Sequence, residues 1–266
     1  TLRYNTIISN GASNCDEPVE LRFECLIIMI PIPKIIHQIW IQGQDKLPSR
    51  YRSQVQTWRK RNPSWEYRLW DEDSLLVLIR RHYTELLPLY EAYESVVARA
   101  DIARYTVLHK FGGLYADTDT TCVRSIDPYL VEPNVSLYVQ VYDNPVWQAD
   151  PDELLGSVSN ALIACIPGHE IWQHVFRYFR EREHPQPAWI LVTGPDMFIE
   201  CLKRYLSDHD DVHFFARDRI VTAYYIPRHY MRWYAWKNRN VFAIHYNDSA
   251  RSEWKPSLKY WLWPDT

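Results

Sequence analysis

The sequence predicts an α/β fold. Short β-branched segments alternate with helical segments through the first half of the chain, which is typical of strands covered by helices. One long helical pattern ends at an adjacent glycine pair and is followed at once by another strand pattern. The 266 residues are 47% hydrophobic, so the chain has enough apolar side chains to cover such a sheet.

The first four elements follow one another closely. We expect a buried strand at residues 34–41, because that segment is short and β-branched. Residues 50–61 show the pattern of a polar-faced helix, and residues 66–70 alternate as a second strand. Asp71 lies where its side chain can cap the N-terminus of the next helix. The apolar residues of that helix recur over positions 75–83.

The long helix at residues 96–111 comes next, with one stripe of apolar residues at helical spacing. Asp101 and Arg104 lie three residues apart on another face, which is close enough for an ion pair. The pair Gly112-Gly113 is expected to end the helix, because glycine adopts the backbone of a C-cap turn. A short strand at residues 114–119 then leaves the helix.

The rest of the chain is less regular in pattern. We expect strands at residues 136–142 and 161–166 and a helix at residues 170–182, followed by an aromatic-rich part without clear periodicity. Residues 29–266 are predicted to form a single domain. Residues 1–28 show no helical or strand period and are predicted to be a dispensable extension.

Composition excludes several kinds of partner. The net charge of -3 argues against a chain-wide nucleic-acid surface. We find no apolar stretch long enough for a transmembrane anchor and no clear signal peptide, so cytoplasmic and Golgi-associated locations both stay open. With only seven glycines, neither glycine-loop motif for nucleotide phosphates can be placed in the chain. A nucleotide would therefore have to be held by other means.

Asp117 and Asp119 are the strongest candidates for chemistry. They follow a strand, at the edge where open α/β sheets bind ligands, and strand alternation would place both carboxylates on one side. Carboxylates are ligands for Mn²⁺ or Mg²⁺, which would neutralise a diphosphate in place of a glycine loop. Three other Asp-x-Asp pairs have structural explanations as a helix cap, a turn or a polar loop, at residues 71–73, 150–152 and 208–210.

Two other functional classes stay open at this point. The segment Asp117-Thr-Asp119-Thr-Thr also fits the D-x-D-x-T pattern of haloacid-dehalogenase-like phosphatases, with a nucleophile followed by a general acid. In those phosphatases the motif normally opens its domain, whereas here a long α/β stretch precedes it. This difference argues against the phosphatase interpretation. A non-catalytic sugar-binding module is the third class, and the 15% aromatic content is its support.

Three stretches together resemble one known family. They read IPKIIHQIWI at residues 32–41, NPSWEYRLWD at residues 62–71 and ADIARYTVLHKFGGLYADTD at residues 100–119. In this order they are similar to the DXD-containing sugar-binding region of the Och1-like glycosyltransferases, family 32, whose relatives include clostridial glucosylating toxins. The resemblance spans a long continuous part of the chain and is far more specific than the Asp pair alone.

The resemblance implies a GT-A fold, with a Rossmann-like mixed sheet, helices on both faces and an irregular aromatic-rich C-terminal part. It further implies a divalent cation, Mn²⁺ or Mg²⁺, and a UDP- or GDP-hexose donor. The expected reaction transfers mannose, galactose or glucose, with retention of configuration, to a hydroxyl group of a glycan, lipid or protein.

The resemblance also implies roles for individual residues. Trp40 would stack on the donor base, and Asp101 would contact the donor sugar. Arg104 would do so as well and would stabilise the departing diphosphate. Asp117 would contact ribose or sugar and bind the metal partly through water, while Asp119 would be the direct metal ligand.

A second group of predicted roles comes from later in the chain. The segment His245 to Trp254 resembles the closing segment of the family, but its spacing differs, so the third protein ligand of the metal stays open among His245, Asp248 and Ser252. Trp254, Ser252 and Asn160 are expected at the donor. The basic, aromatic stretch at residues 232–237 is expected to pack into the core; an acceptor shelf or a peripheral membrane contact are the alternatives.

Overall fold

The computed structural model describes residues 31–141, 155, 158–181, 192–215, 219–222 and 228–248. The predictions on residues 1–28, on the pair Asp150/Asp152, on Ser252 and on Trp254 lie outside the described residues.

The first half of the chain folds into the predicted order of elements, with one additional short helix and one additional short strand. These elements are β1 (Ile35–Ile39), α1 (Ser49–Arg61), β2 (Glu66–Trp70), α2 (Glu72–His82), α3 (Leu87–Ala92), α4 (Val96–Phe111), β3 (Gly113–Ala116) and β4 (Thr120–Cys122). The predicted cap of α2 is confirmed, since the Asp71 side chain accepts the backbone N–H of Ser74.

The later elements include the predicted strands and helix and further regular structure near the C-terminus. They are β5 (Leu137–Val141), β6 (Val158–Cys165), α5 (Ile171–Glu181), α6 (Pro195–Leu206), β7 (Val212–Phe215), β8 (Ile220–Thr222), α7 (Arg228–Lys237) and β9 (Ala243–His245).

Six strands form one mixed sheet in the order β2-β1-β3-β6-β5-β7. Strand β1 runs parallel to both β2 and β3, whereas β6 is antiparallel to both β3 and β5. Strand β3 is thus an interior strand with a parallel neighbour, and its carboxyl end lies where open α/β sheets bind ligands.

The two faces of the large sheet are covered differently. Helices α2 to α6 pack on one face in a continuous hydrophobic core. Helix α1 packs on the other face through Trp58, together with a three-stranded sheet of order β4-β9-β8. This small sheet, which the sequence does not predict, brings the C-terminal strand β9 beside the residues that follow β3.

Helix α4 is buried on more sides than a single apolar stripe predicts. Every residue from Asp101 to Leu108 is buried, because the sheet and neighbouring helices enclose the helix. Asp101 and Arg104 are only 2% and 4% exposed, so the predicted ion pair lies inside the protein and not on a solvated face.

The glycine pair ends α4 as predicted. Gly112 and Gly113 have φ angles of +60° and +86°, which side chains of L residues rarely adopt. A Cβ atom on Gly112 would lie 2.6 Å from the backbone nitrogen of Pro167, and one on Gly113 would lie 2.5 Å from the carbonyl oxygen of Ile35. Both positions therefore require glycine, and the chain passes directly from α4 into β3.

Helix α7 corrects one expectation. Its Met231 and Ala235 are buried, but Trp233 and Trp236 are 50% and 71% exposed. Packing of this aromatic stretch into the core is therefore wrong for these two side chains. In the described part of the chain, no helix combines the length and apolar character needed to cross a bilayer.

Candidate functional site

The chain turns immediately after β3, and this turn forms the centre of the site. The backbone N–H of Thr120 donates to the carbonyl of Asp117 at 3.1 Å, and Gln38 Nε2 donates to the same carbonyl at 3.0 Å. The strand therefore ends before Asp117, and the prediction that strand alternation aligns the two carboxylates is wrong. The turn, rather than the pleat of a strand, brings Asp117 and Asp119 together.

His245 reaches the turn through the small sheet. Strands β4 and β9 are antiparallel, and their register places Thr120 opposite His245. His245 Nε2 lies 3.5 Å from Asp119 Oδ1. One ligand atom each of Asp117, Asp119 and His245 lie within 4.8 Å of one another, and we refer to these three residues as the carboxylate-histidine group.

The carboxylate-histidine group fits a divalent cation. Asp119 is 9% exposed; its Oδ2 accepts the backbone N–H of Asp248 at 2.8 Å, whereas its buried Oδ1 has no hydrogen-bond partner among the described residues. Burial raises the pKa of the Asp119 carboxyl above its usual value. A buried acceptor without a partner is costly, and a cation would satisfy it. Carboxylate oxygens with one imidazole suit Mn²⁺, and the oxygens alone suit Mg²⁺.

Arg104 connects helix α4 to the same turn. Its guanidinium forms a buried ion pair with Asp101 and another with Asp117, where Nη2 lies 3.0 Å from Oδ1. The hydroxyl of Tyr115 donates to that same Asp117 oxygen at 2.7 Å, and the Tyr115 ring centre lies 4.5 Å from Arg104 Cζ. Asp117 is therefore held by a cation and a phenol at once.

Asp101 accepts hydrogen bonds on both of its oxygens. Arg104 and Asn160 Nδ2, the latter at 3.0 Å, donate to Oδ1, and Thr193 Oγ1 donates to Oδ2 at 3.2 Å. We refer to Asp101, Arg104, Asn160 and Thr193 as the Asp101 network. Burial raises the pKa of Asp101 to about 6, and the Arg104 charge opposes that rise.

Asn160 therefore lies beside the residues predicted to contact the donor. Its Nδ2 also lies 2.9 Å from the hydroxyl of Tyr105, which in turn donates to the Thr193 carbonyl at 2.9 Å. These contacts fix the orientation of the Asn160 carboxamide inside the protein, where it supports Asp101.

Trp40 lies just after β1, and its ring centre is 5.4 Å from that of Tyr51. Its indole nitrogen is buried without a hydrogen-bond partner among the described residues. Burial, with the nearby Asp248 and Asp119 carboxylates, raises the pKa of Tyr51. Trp40 and Tyr51 thus form an aromatic pair that leads from the end of β1 towards the carboxylate-histidine group.

Asp248 contributes to the site in two ways. Its backbone N–H binds Asp119, as described above, and its carboxylate forms an ion pair with Arg228. A second arginine, Arg50, lies with Nη2 4.0 Å from Asp248 Oδ2. Of the alternatives for a third metal ligand, the structure brings His245 to the two DXD carboxylates and directs the Asp248 carboxylate to arginines.

Gln140 contacts His245, and no role is predicted for this residue from the sequence. Its Nε2 lies 3.2 Å from His245 Nδ1 and 3.2 Å from Thr222 Oγ1. The register of β5 shifts between Val139 and Gln140, and such irregularities change where a side chain points. A completely buried glutamine in an otherwise apolar strand segment, LYVQV, is the signal that could have identified it.

A comparison with protein families supports the resemblance read from the sequence. A family model described as a glycosyltransferase sugar-binding region containing a DXD motif matches residues 48–136. This range begins at α1 and includes Asp101, Arg104, Asp117 and Asp119. The resemblance to DXD-containing glycosyltransferases is therefore confirmed, and it favours that interpretation over the phosphatase and the non-catalytic module.

Similar curated proteins are also glycosyltransferases by name. The chain is 27% identical over 179 residues to an uncharacterized glycosyltransferase of Acanthamoeba polyphaga mimivirus, covering 67% of each protein. It is 30% identical over 193 residues to inositol phosphoceramide mannosyltransferase 1 of Schizosaccharomyces pombe, covering 69% of this chain and 56% of that protein. The alignment thus spans little more than half of the yeast relative.

Among solved structures, the PaToxG glycosyltransferase superimposes with a TM-score of 0.50 at 20% sequence identity. The match covers 68% of this chain and 71% of that one. Together with the mixed sheet described above, it confirms the predicted GT-A fold.

Proposed function

We propose that the protein is a retaining hexosyltransferase that requires a divalent cation, because residues 48–136 match the family model of a glycosyltransferase sugar-binding region containing a DXD motif. It transfers a hexose from a UDP- or GDP-hexose to a hydroxyl group of a lipid or glycan. The observation that carries the proposal is the carboxylate-histidine group, which lies beside the buried ion pair of Asp101 and Arg104 at the carboxyl end of β3.

Asp117, Asp119 and His245 hold the cation, Mn²⁺ or Mg²⁺, in this proposal. When bound, the cation supplies positive charge that neutralises the donor diphosphate and improves it as a leaving group. Arg104 adds a second positive charge. Its guanidinium is already fixed by Asp101 and Asp117, so little reorganisation is needed as negative charge develops on the leaving group.

Retention of configuration is proposed to follow from attack on the face that the diphosphate leaves. The acceptor oxygen forms a bond to the anomeric carbon, the bond from that carbon to the phosphate oxygen breaks, and the hydroxyl proton passes to the leaving phosphate. The placement of the nearby carboxylates supports this route over a covalent intermediate. Asp101 is desolvated and accepts hydrogen bonds on both oxygens, which does not suit a nucleophile, while Asp117 and Asp119 serve the cation.

The donor is proposed to lie between the aromatic pair at the end of β1 and the Asp101 network. Trp40 stacks on the base, and its indole ring is in turn contacted by the ring of Tyr51. Asp101 and Asn160 hold the sugar. Ser252 and Trp254 remain predicted donor contacts.

Mannose and a lipid acceptor are the first choices among the substrates. The similarity to an inositol phosphoceramide mannosyltransferase supports both, because that name specifies a transferred mannose and a lipid that carries inositol phosphate. They are to be compared with galactose and glucose donors and with glycan acceptors.

The test measures release of UDP or GDP from a panel of hexose donors, with Mn²⁺, with Mg²⁺ and with chelator. We expect cation-dependent release from one donor, increased by the lipid acceptor and abolished in Asp119→Ala. Proton NMR of the product should show the anomeric configuration of the donor. Release of inorganic phosphate from sugar phosphates would instead indicate a phosphatase, no release would indicate a binding module, and an inverted product would contradict retention.

A further inference from the structure

Helix α7 carries aromatic side chains on its exposed face. Four of its aromatic residues are more than one third exposed: Tyr230 at 46%, Trp233 at 50%, Tyr234 at 36% and Trp236 at 71%. Tyr230 and Trp233 also contact each other, with ring centres 5.3 Å apart. Side chains of this size scattered singly need no explanation, but four on one ten-residue helix are a local concentration of exposed apolar surface.

The exposure is not the result of a poorly packed helix. Met231 and Ala235, which lie one turn apart, are buried against Ile244 of the small sheet and against Val241, which precedes that strand. Arg124 Nη1 donates to the carbonyl of Ala235 at 2.9 Å and so binds the C-terminal part of the helix. The inward face of α7 is therefore fixed, and its aromatic face is held towards solvent.

The charges on this surface are all positive. Arg232, Lys237 and Arg239 are exposed, and no Asp or Glu occurs in the sequence from residue 228 to residue 247. Lys237 Nζ lies 5.1 Å from the ring centre of Trp236, so cation and aromatic ring share one part of the surface. The whole chain, by contrast, has a net charge of -3, which makes this cluster a local feature.

Trp and Tyr rings favour the boundary between lipid headgroups and acyl chains, and Arg and Lys beside them favour anionic headgroups. From this combination of exposed rings and exposed positive charge, we infer that α7 docks the protein on the surface of an anionic lipid bilayer. The helix lies along the surface, with its aromatic side chains in the interface and its buried face on the protein.

Helix α7 begins close to the candidate site. At the N-terminal end of the helix, Arg228 forms an ion pair with Asp248, whose backbone N–H binds Asp119. The ten-residue helix extends about 15 Å from that end. Docking of α7 therefore places the candidate site near the membrane surface. The inference goes beyond the proposed function, and vesicle binding can be measured without any substrate.

The test is cosedimentation of the full chain with vesicles of phosphatidylcholine, with or without phosphatidylserine. We expect binding to the phosphatidylserine vesicles that weakens with added salt. Trp233→Ser with Trp236→Ser should greatly reduce it. Arg232→Gln with Lys237→Gln should reduce it about fivefold for each charge removed.

The matched control is Val77→Ser with Arg81→Gln, which removes an exposed apolar and an exposed basic side chain from α2. These changes should leave vesicle binding unaltered. The inference is overturned if the unaltered chain does not bind the anionic vesicles better than the neutral ones, or if the control loses as much binding as the α7 variants. Binding of an RNA oligonucleotide without binding of vesicles would also overturn it. The inference would also be overturned if the unaltered chain does not bind vesicles and the Trp variant loses thermal stability. Another part of the chain would then cover α7.

Discussion

The two halves of the candidate site differ in how completely the oxygens of their buried carboxylates are paired. In the Asp101 network, both oxygens of Asp101 accept hydrogen bonds, and Arg104 lies between two carboxylates. In the carboxylate-histidine group, Asp119 Oδ1 is buried without a hydrogen-bond partner among the described residues. We call the Asp101 network the complete half, because its carboxylate is fully paired without a ligand even though Arg104 Nε is buried without a partner among the described residues. We call the carboxylate-histidine group the incomplete half, because Asp119 Oδ1 gains a favourable partner only when a cation is present.

This difference predicts different consequences of mutation. Removing a member of the complete half leaves buried charges or hydrogen-bonding groups unpaired, so the folded state loses stability. Removing Asp119 from the incomplete half takes away a buried carboxylate whose Oδ1 lacks a hydrogen-bond partner, so we expect cation binding to be lost and the folded state to keep its stability. The predictions below separate these two outcomes.

The largest effect is expected for Arg104→Met. The substitution keeps the apolar length of the side chain but leaves Asp101 and Asp117 without their buried cation, which should cost about 3–5 kcal/mol of unfolding free energy. Urea unfolding of the cation-free protein measures it. Arg81→Met, at an exposed position of α2, is the matched control and should change stability very little. A similarly small change for Arg104→Met would mean that the buried ion pair does not hold the network together.

A smaller effect is expected for Gln140→Leu. Gln140 contacts Nδ1 of His245, the ring nitrogen away from Asp119, and residues that orient a ligating histidine typically change metal affinity about 10–100-fold when replaced. Titration with Mn²⁺, followed by electron paramagnetic resonance, gives the affinity.

The matched control for that titration is Gln54→Leu, another buried glutamine, located on α1. We expect it to leave the Mn²⁺ affinity unchanged. Equal affinities for the Gln140 variant and the unaltered protein would show that His245 is oriented without Gln140 or does not bind the cation.

The smallest effect is a pH dependence of the enzymatic activity, which arises from Asp101 in the complete half. With a pKa of about 6, Asp101 holds a proton below that pH and then binds Arg104 less well. At saturating cation we expect kcat/KM to fall about tenfold for each pH unit below 6. Asp101→Asn should have low activity without this acidic limb, and an unchanged limb in that variant would assign the pH dependence to another group.

The same raised pKa fixes the sign of the effect on folding. The unfolded chain releases the Asp101 proton near pH 3.8, whereas the folded chain keeps it to about pH 6. The contribution of Asp101 to the free energy of unfolding therefore decreases as pH rises through that interval and is constant above it.

The sequence predicted the complete half better than the incomplete one. Asp101, Arg104 and the glycine pair lie within one continuous helix-turn-strand segment, so local spacing was enough to bring the ion pair to the end of β3. Burial was not evident, because the apolar stripe of α4 alone does not show that helices enclose its other sides.

The incomplete half depends on contacts between distant parts of the chain. His245 meets Asp119 only because β9 pairs with β4, and short strands of three residues leave too little periodicity to predict their partners. The sequence therefore left His245, Asp248 and Ser252 as alternatives. The exposure of Trp233 and Trp236 was missed for a related reason, since composition does not tell which face of α7 the small sheet covers.

The most direct test of the contrast is the stability of Asp119→Asn with and without Mn²⁺. We predict that the cation-free variant unfolds at the same temperature as the unaltered protein or higher, because the substitution removes a buried negative charge whose Oδ1 has no hydrogen-bond partner among the described residues. Mn²⁺ at a hundred times its dissociation constant should stabilise the unaltered protein by about 2.7 kcal/mol and the variant not at all. If the variant is instead strongly destabilised without cation and still gains stability from Mn²⁺, Asp119 is part of the structural framework and the cation site lies elsewhere.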